Sequence, residues 1–158
     1  MDMGSNMTHY MQLLATNQPW NLIIFMAIPV ILAEFIAVSE LVILLRRDTT
    51  SSLKKANRIA SATAGIYFLF IFLYLFVNAV VPLTTTGGWR GIADVIAVGF
   101  YLLGVVPLFG MTLLETGILA KGRSPDDKLK VHAGLVGGFL VVAHIAMIFG
   151  MLDPRLLA

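Results

Sequence analysis

The sequence has 158 residues, of which 58% are hydrophobic and only 13% are charged, and its formal net charge is +2. Soluble domains carry about 25% charged residues, so this composition predicts a membrane protein that lies in a lipid bilayer. So small a net charge gives no reason to expect nucleic-acid binding. The sequence contains no cysteine, which excludes disulfides and thiolate metal sites.

Residues 1–17 are expected to form a leader outside the membrane core. Within it, the stretch from Thr8 to Thr16 has the pattern of a short interfacial helix. The leader lacks the continuous apolar segment of a cleavable signal peptide, so we expect it to stay on the mature protein.

Four long apolar segments follow the leader, and each is long enough to cross a bilayer. They cover approximately residues 20–45, 59–81, 90–120 and 131–151. The sequence therefore predicts an all-α membrane protein, a single bundle of four transmembrane helices. Pro29 and Pro107 are expected to bend the first and third helices. Gly122 is expected to end the third helix, and Ser124 with Pro125 to begin the fourth.

The distribution of basic residues predicts the orientation. Nine of the eleven lysines and arginines lie in the connections 46–58 and 121–130. Because basic connections remain on the cytoplasmic side, both of these are expected there, and both termini on the opposite side. We expect a multi-pass protein of a bacterial inner membrane.

All three glutamates of the chain, Glu34, Glu40 and Glu115, lie in the predicted spans. A carboxylate near the bilayer centre costs on the order of 2.5 to 3.5 kcal/mol, so it needs a partner, a proton or a cation. His144 is expected at the depth of Glu34, where the two would form a proton-relay pair or bind a divalent transition metal. Glu40, Glu115 and His132 lie nearer the cytoplasm and allow a second, shallower polar cluster. The first hypothesis is therefore a permease-type transporter, or a subunit of one, for protons or divalent transition-metal cations. Its polar track would be built from Glu34, His144, Glu115 and Glu40, and these four residues and His132 are the candidate metal ligands.

The alternative hypothesis is a b-type haem protein that transfers electrons in the membrane, with His144 as an axial ligand. Gly137, one heptad before His144, leaves room for a flat cofactor, and Met111 is expected at a similar depth. However, Gly134 and Gly138 have the spacing of ordinary close helix packing, which we favour over contact with a haem.

Further candidates carry less weight. His9, Met7 and Met11 offer imidazole and thioether ligands that suit a soft metal such as Cu(I), although methionine is a common apolar filler. Motifs for nucleotide binding, zinc proteolysis or nucleophilic hydrolysis are absent, so no catalytic residue is predicted and an enzyme is not favoured. A third hypothesis is a non-catalytic scaffold or partner subunit, in a homo-oligomer or a larger membrane complex.

Overall fold

The computed structural model describes residues 6–47 and 51–157, and all the regular elements in these ranges are helices. Residues 1–5 of the predicted leader and residues 48–50 of the first basic connection lie outside the described residues. A short helix α1 (His9–Ala15) precedes four helices that are long and apolar enough to cross a membrane. These are α2 (Trp20–Arg46), α3 (Ser52–Thr86), α4 (Ile92–Glu115) and α5 (Pro125–Gly150), and a 3₁₀ turn (Pro154–Leu157) follows. The predicted class, an all-α membrane bundle of four spanning helices in a lipid bilayer, is confirmed.

The chain divides into two compact units, and each spanning helix contributes one segment to each unit. The first unit comprises Met1–Ala27, Phe70–Gly104 and Val141–Ala158, and therefore includes α1. The second unit comprises Ile28–Leu69 and Val105–Leu140, and therefore includes both basic connections. Its interior is made of apolar side chains that are almost fully buried, among them Ile36, Ile43, Phe68 and Leu108.

Two prolines inside the spans account for irregular turns in their helices. In α2, a π-helical turn over Ile23–Ala27 comes two residues before Pro29. In α4, the regular helix is interrupted at Gly104, three residues before Pro107. Proline has no N–H, and its ring clashes with the carbonyl four residues earlier, so the preceding turn cannot remain a regular α-helix. The distortion expected from each proline therefore lies in the turn before it.

Pro29 also leaves a backbone carbonyl of α2 without its usual donor. The carbonyl four residues earlier belongs to Phe25, and the hydroxyl of Tyr101 donates a hydrogen bond to it at 2.5 Å. Tyr101 is buried. Since an unpaired carbonyl inside a membrane is costly, the tyrosine supplies the hydrogen bond that the proline removes.

We expect Tyr101→Phe to lower the free energy of unfolding by about 1 to 2 kcal/mol, because the ring is retained while the Phe25 carbonyl loses its donor. Thermal unfolding of the purified protein in detergent measures this change. Tyr74→Phe is the matched control, since Tyr74 is 56% exposed. Equal stability of the two variants would contradict this role for Tyr101.

Helix α4 ends at Glu115, whereas the sequence predicted an end near Ala120. Gly117 adopts a left-handed conformation with φ +77°. The N–H of Ile118 then donates to the Leu113 carbonyl at 3.0 Å, and the N–H of Gly117 donates to the Leu114 carbonyl at 3.1 Å. This pattern satisfies the last carbonyls of a helix. Gly117 is therefore the residue that ends α4, and the prediction that Gly122 does so was wrong.

The beginning of α5 is where the sequence places it. The Ser124 hydroxyl accepts a hydrogen bond from the Asp127 N–H at 3.1 Å and donates one to the Asp127 carboxylate at 2.9 Å. Pro125 occupies the first helical position. A hydroxyl cap together with acidic residues in the first turn stabilises a helix start.

A close contact between α3 and α4 in the second unit depends on Gly65. It does not involve Gly134 and Gly138, whose four-residue spacing predicted such a contact. A Cβ atom on Gly65 would lie 2.0 Å from Thr112 Oγ1 and 2.4 Å from the Leu108 carbonyl oxygen. A Cβ on Gly134, Gly137 or Gly138 would meet no atom within 4 Å. The packing expected at Gly134 and Gly138 is therefore not made within the described chain, because residue spacing does not reveal which face of a helix meets a neighbour.

Candidate functional site

The second unit contains a group of polar side chains that lie inside the spanning helices. We call it the polar cluster, and it takes residues from all four of these helices: Glu40 on α2, Asn57, Arg58 and Ser61 on α3, Glu115 on α4 and His132 on α5. Glu40 lies six residues before the end of α2, and His132 lies seven residues after the start of α5. Each is thus about two helical turns from a basic connection.

The centre of the polar cluster is an imidazole between two carboxylates. His132 Nδ1 lies 3.1 Å from Glu40 Oε2, and His132 Nε2 lies 3.6 Å from Glu115 Oε1. The side chains of His132 and Glu40 are 1% and 3% exposed, whereas that of Glu115 is 14% exposed. The two ring nitrogens therefore face two different acidic groups, of which one is buried and the other is closer to solvent.

Several buried atoms of the polar cluster make no hydrogen bond. They are both carboxylate oxygens of Glu40, Nδ1 of His132 and the side-chain oxygen of Asn57. The 3.1 Å contact between His132 and Glu40 has the distance of an ion pair, but its direction is not that of a hydrogen bond. A buried polar atom without a hydrogen bond costs free energy, and a buried charge costs more, unless it is paired. Because no hydrogen bond stabilises the Glu40 carboxylate, burial of this group requires either a positive charge beside it or a proton on it.

Residues of α3 surround this centre. The Ser61 hydroxyl lies 3.0 Å from His132 Nε2 in a hydrogen bond. Arg58 Nε lies 3.3 Å from Glu115 Oε2, and Arg58 Nη2 donates to the Glu115 carbonyl oxygen at 2.7 Å. With two ionised glutamates, a protonated His132 and Arg58, the charges sum to zero. A low-dielectric site favours such a balance. A proton gained or lost by one of these four side chains would disturb it, because the net charge of the polar cluster would no longer be zero.

Asn57 fixes the neighbouring part of α2. Its amide nitrogen donates to Ser39 Oγ at 2.8 Å and to the Ile36 carbonyl oxygen at 3.2 Å. Ser39 in turn donates to the Phe35 carbonyl oxygen at 2.6 Å, one turn earlier in the same helix. Because Asn57 and Ser61 are four residues apart, they share one face of α3. That face positions both α2 and the imidazole.

The arrangement does not fit a metal ion. Across residues 6–47 and 51–157, no three or more His, Asp or Glu side chains come together in a way that would hold one. Glu40 and Glu115 approach opposite nitrogens of a single imidazole, so the three groups do not converge on one point. Divalent transition metals need several donors around a common centre.

The two residues of the deeper pair expected from the sequence, Glu34 and His144, do not belong to one unit, whereas the residues of the polar cluster do. Glu34 belongs to the second unit and His144 to the first, and both side chains are exposed. Met111 is 1% exposed, and Gly137 has open space beside it. The haem hypothesis, which uses His144, Met111 and Gly137, stays a prediction.

The first unit has a polar group of its own, which we call the N-terminal anchor: His9, Arg90 and Asp94. The carboxylate of Asp94 is 0% exposed. It accepts a hydrogen bond from the His9 backbone N–H at 2.6 Å and lies 2.5 Å from His9 Nδ1. Arg90 donates to the Met7 carbonyl oxygen at 2.5 Å and to the Gln12 side chain. The ring of His9 is thus engaged by a carboxylate, and Met7 contributes its backbone carbonyl to the anchor.

Further contacts join α1 to the end of α5. The Thr8 hydroxyl donates to the Gly150 carbonyl oxygen at 2.7 Å, and Thr8 also caps α1 by accepting from the Met11 N–H. Tyr10 lies against Gly150, where a Cβ atom would be 2.9 Å from its ring. Burial raises the pKa of Tyr10 to about 12. The leader is therefore an ordered part of the first unit from Thr8 to Ala15.

Sequence reasoning named the three ionisable groups at the centre of the polar cluster but missed Asn57, Ser61 and Arg58. The sequence pattern that could have revealed Asn57 and Ser61 is their four-residue spacing, which places two small polar side chains on one face of α3. The burial of Asp94 has no signal in the local sequence. Only the position of α1 shows that this carboxylate has a partner.

Comparisons with known proteins identify a family but no characterised relative. Neither the curated proteins nor the solved structures gave a match to this chain. A family model does match, over residues 5–158, and it is described as a family of unknown function, DUF6803. A match over this length includes every helix described above, and the chain belongs to the DUF6803 family.

Proposed function

We propose that the protein is a small permease-type transporter, or a subunit of one, that moves protons across the membrane, with the polar cluster as its proton-binding site. The observation that carries the proposal is Glu40. This carboxylate is 3% exposed inside a spanning helix, makes no hydrogen bond and lies 3.1 Å from an imidazole nitrogen. Ionisable groups inside a membrane are expensive, and they mark ion or proton pathways.

The arrangement supports a relay in three positions. Glu115, the most exposed of the three groups, exchanges protons with the aqueous side. It passes a proton to His132 Nε2 when the 3.6 Å between the two groups closes to hydrogen-bond distance. The ring then releases the proton on Nδ1 to Glu40, once a small rotation turns their 3.1 Å contact into a hydrogen bond. Imidazole suits this role because it can gain a proton at one nitrogen and lose one at the other near neutral pH. The guanidinium of Arg58 compensates the charge of Glu115.

The basic connections suggest the orientation of the relay. Because both belong to the second unit and basic connections stay in the cytoplasm, the polar cluster would exchange protons with the cytoplasmic side. Both termini would then lie on the outer side. A bacterial inner membrane, which carries a proton gradient, is the location that we propose.

We favour protons over divalent cations as the transported species. The sequence allowed protons and divalent transition-metal cations alike. The carboxylates of Glu40 and Glu115 approach different nitrogens of His132 and do not converge on a common point, as the ligands of one metal ion would. A proton needs only one acceptor at a time, and here it has an imidazole with an acidic group on either side.

Proton flux into vesicles tests the proposal. The full-length protein is reconstituted in vesicles that contain a pH-sensitive dye, and a potassium gradient with valinomycin supplies the driving potential. We expect faster proton entry than in empty vesicles. Glu40→Gln should lower the flux at least about tenfold, because the amide keeps the size of the side chain but cannot carry the proton.

Glu34→Gln is the matched control, since it makes the same chemical change in the same helix at an exposed residue outside the polar cluster. Its flux should equal that of the wild type. The proposal fails if wild-type vesicles are no faster than empty ones, or if Glu40→Gln has the flux of Glu34→Gln.

A further inference from the structure

Helix α2 has an exposed seam of residues at heptad spacing. We call it the α2 seam: Ile31, Glu34, Val38, Leu41 and Leu45. Successive members are alternately three and four residues apart, which is the pattern of positions a and d in a coiled coil. Its apolar members are among the most exposed of the helix, with 63% for Ile31 and Val38, 56% for Leu41 and 75% for Leu45. The seam extends over about 21 Å of helix at about 1.5 Å per residue.

The polar member of the seam lies near the middle of the spanning helix. Glu34 is twelve residues from Arg46, the last residue of α2, which is about 18 Å along the helix. Its side chain is exposed, and it makes no hydrogen bond or ion pair within the described part of the chain. A carboxyl group that faces lipid at this depth has no water to solvate it. A group outside the described residues must therefore satisfy it.

A second copy of the chain provides the matching chemistry. Copies in one membrane share one orientation, so two α2 helices related by a two-fold axis along the membrane normal are parallel. In a parallel pair, a residue at position a or d faces the same residue of the other helix. A protonated carboxyl group both donates and accepts a hydrogen bond. Two Glu34 side chains that each carry a proton can therefore satisfy each other without a net charge. The α2 seam is thus complementary to itself in its heptad spacing and in its hydrogen bonding.

We propose that the α2 seam is the contact surface of a homodimer, in which the Glu34 side chains of the two copies hydrogen-bond to each other. Van der Waals packing and polar side chains are what hold helices together in lipid. This inference is independent of the proposed transport, because Glu40 faces the interior of the second unit and Glu34 faces away from it.

Cysteine cross-linking in vesicles tests the dimer, and the absence of native cysteine makes single-cysteine variants unambiguous. Leu45→Cys places a thiol on the α2 seam. Leu44→Cys is the matched control, because it is adjacent and also exposed, at 40%, but it points about 100° away around the helix. With the purified protein as the sole protein in the vesicles, we expect oxidation to convert Leu45→Cys into a covalent dimer. Leu44→Cys should give much less.

The role of Glu34 is tested in the Leu45→Cys background at low protein-to-lipid ratio. Glu34→Gln should retain the dimer, because two amides can also pair. Glu34→Ala should weaken dimerisation about tenfold, the effect of one such bond in lipid. Failure of Leu45→Cys to cross-link, or equal cross-linking at Leu44, overturns the proposed surface and indicates that lipid or another protein covers the seam. Equal dimerisation of the Glu34→Ala and Glu34→Gln variants overturns the role of the carboxyl group.

Discussion

Gly65→Ala is expected to destabilise the protein by about 3 kcal/mol or more, or to prevent folding. The new methyl group would lie 2.0 Å from Thr112 Oγ1 and 2.4 Å from the Leu108 carbonyl oxygen. The threonine side chain can rotate away, but the backbone carbonyl cannot, so α3 and α4 would have to separate. That separation also breaks the hydrogen bond that the Thr112 hydroxyl donates to the Ala62 carbonyl oxygen at 3.2 Å. Thermal unfolding and the yield of monodisperse protein in detergent measure the effect.

Gly137→Ala is the control for this prediction. It introduces the same methyl group into a spanning helix at a site with no atom within 4 Å. We expect it to be neutral or slightly stabilising, since alanine is the better helix former. A double variant, Gly65→Ala with Thr112→Ala, should recover only part of the loss, because the Leu108 carbonyl remains in place. Equal stability of Gly65→Ala and Gly137→Ala would show that the contact is not as close as the structure places it.

Asp94→Ala is expected to release α1 from the first unit. The buried carboxylate accepts hydrogen bonds from the His9 backbone and the Arg90 backbone and pairs with the His9 ring. Removing it leaves these donors without their acceptor, which costs on the order of 2 to 4 kcal/mol. Amide hydrogen exchange of residues 9–15 in the purified protein should become roughly 100-fold faster, because local opening of α1 becomes cheaper by this amount.

Asp126→Ala serves for comparison with Asp94→Ala. Asp126 is also an aspartate in the first turn of a spanning helix, but it is exposed. Its loss removes only the interaction with the helix dipole, under about 1 kcal/mol. Unchanged exchange in α1 of Asp94→Ala would mean that the Thr8 and Tyr10 contacts alone hold this helix.

Local chemistry accounts for the parts of the fold that the sequence predicted. Thr8 and Ser124 cap the helices that begin beside them, because a side-chain oxygen placed at a helix start accepts a free backbone N–H. The end of α4 was less predictable. Both Gly117 and Gly122 adopt positive φ, and only the backbone hydrogen bonds identify the first as the stop. Local residue preference does not rank two glycines that lie only five residues apart.

Packing against other helices accounts for what could not be predicted. The glycines at four-residue spacing, Gly134 and Gly138, face open space, whereas the isolated Gly65 makes the close contact. Nothing in the spacing of residues within one helix specifies the partner helix or the height at which the two helices meet. The burial of Asp94 depends in the same way on the position of α1, which is remote in sequence from α4.

The sequence by itself determined the class of the protein, because a composition so apolar over four long segments is soluble only in a bilayer. It also determined which residues carry ionisable groups within the spans. Only the tertiary structure decided that Glu40 is buried beside His132 while Glu34, six residues earlier in the same helix, is exposed. The reason is physical: lipid is as apolar as the interior of the bundle, so the hydrophobic pattern of a spanning helix does not distinguish its inner face from its outer one.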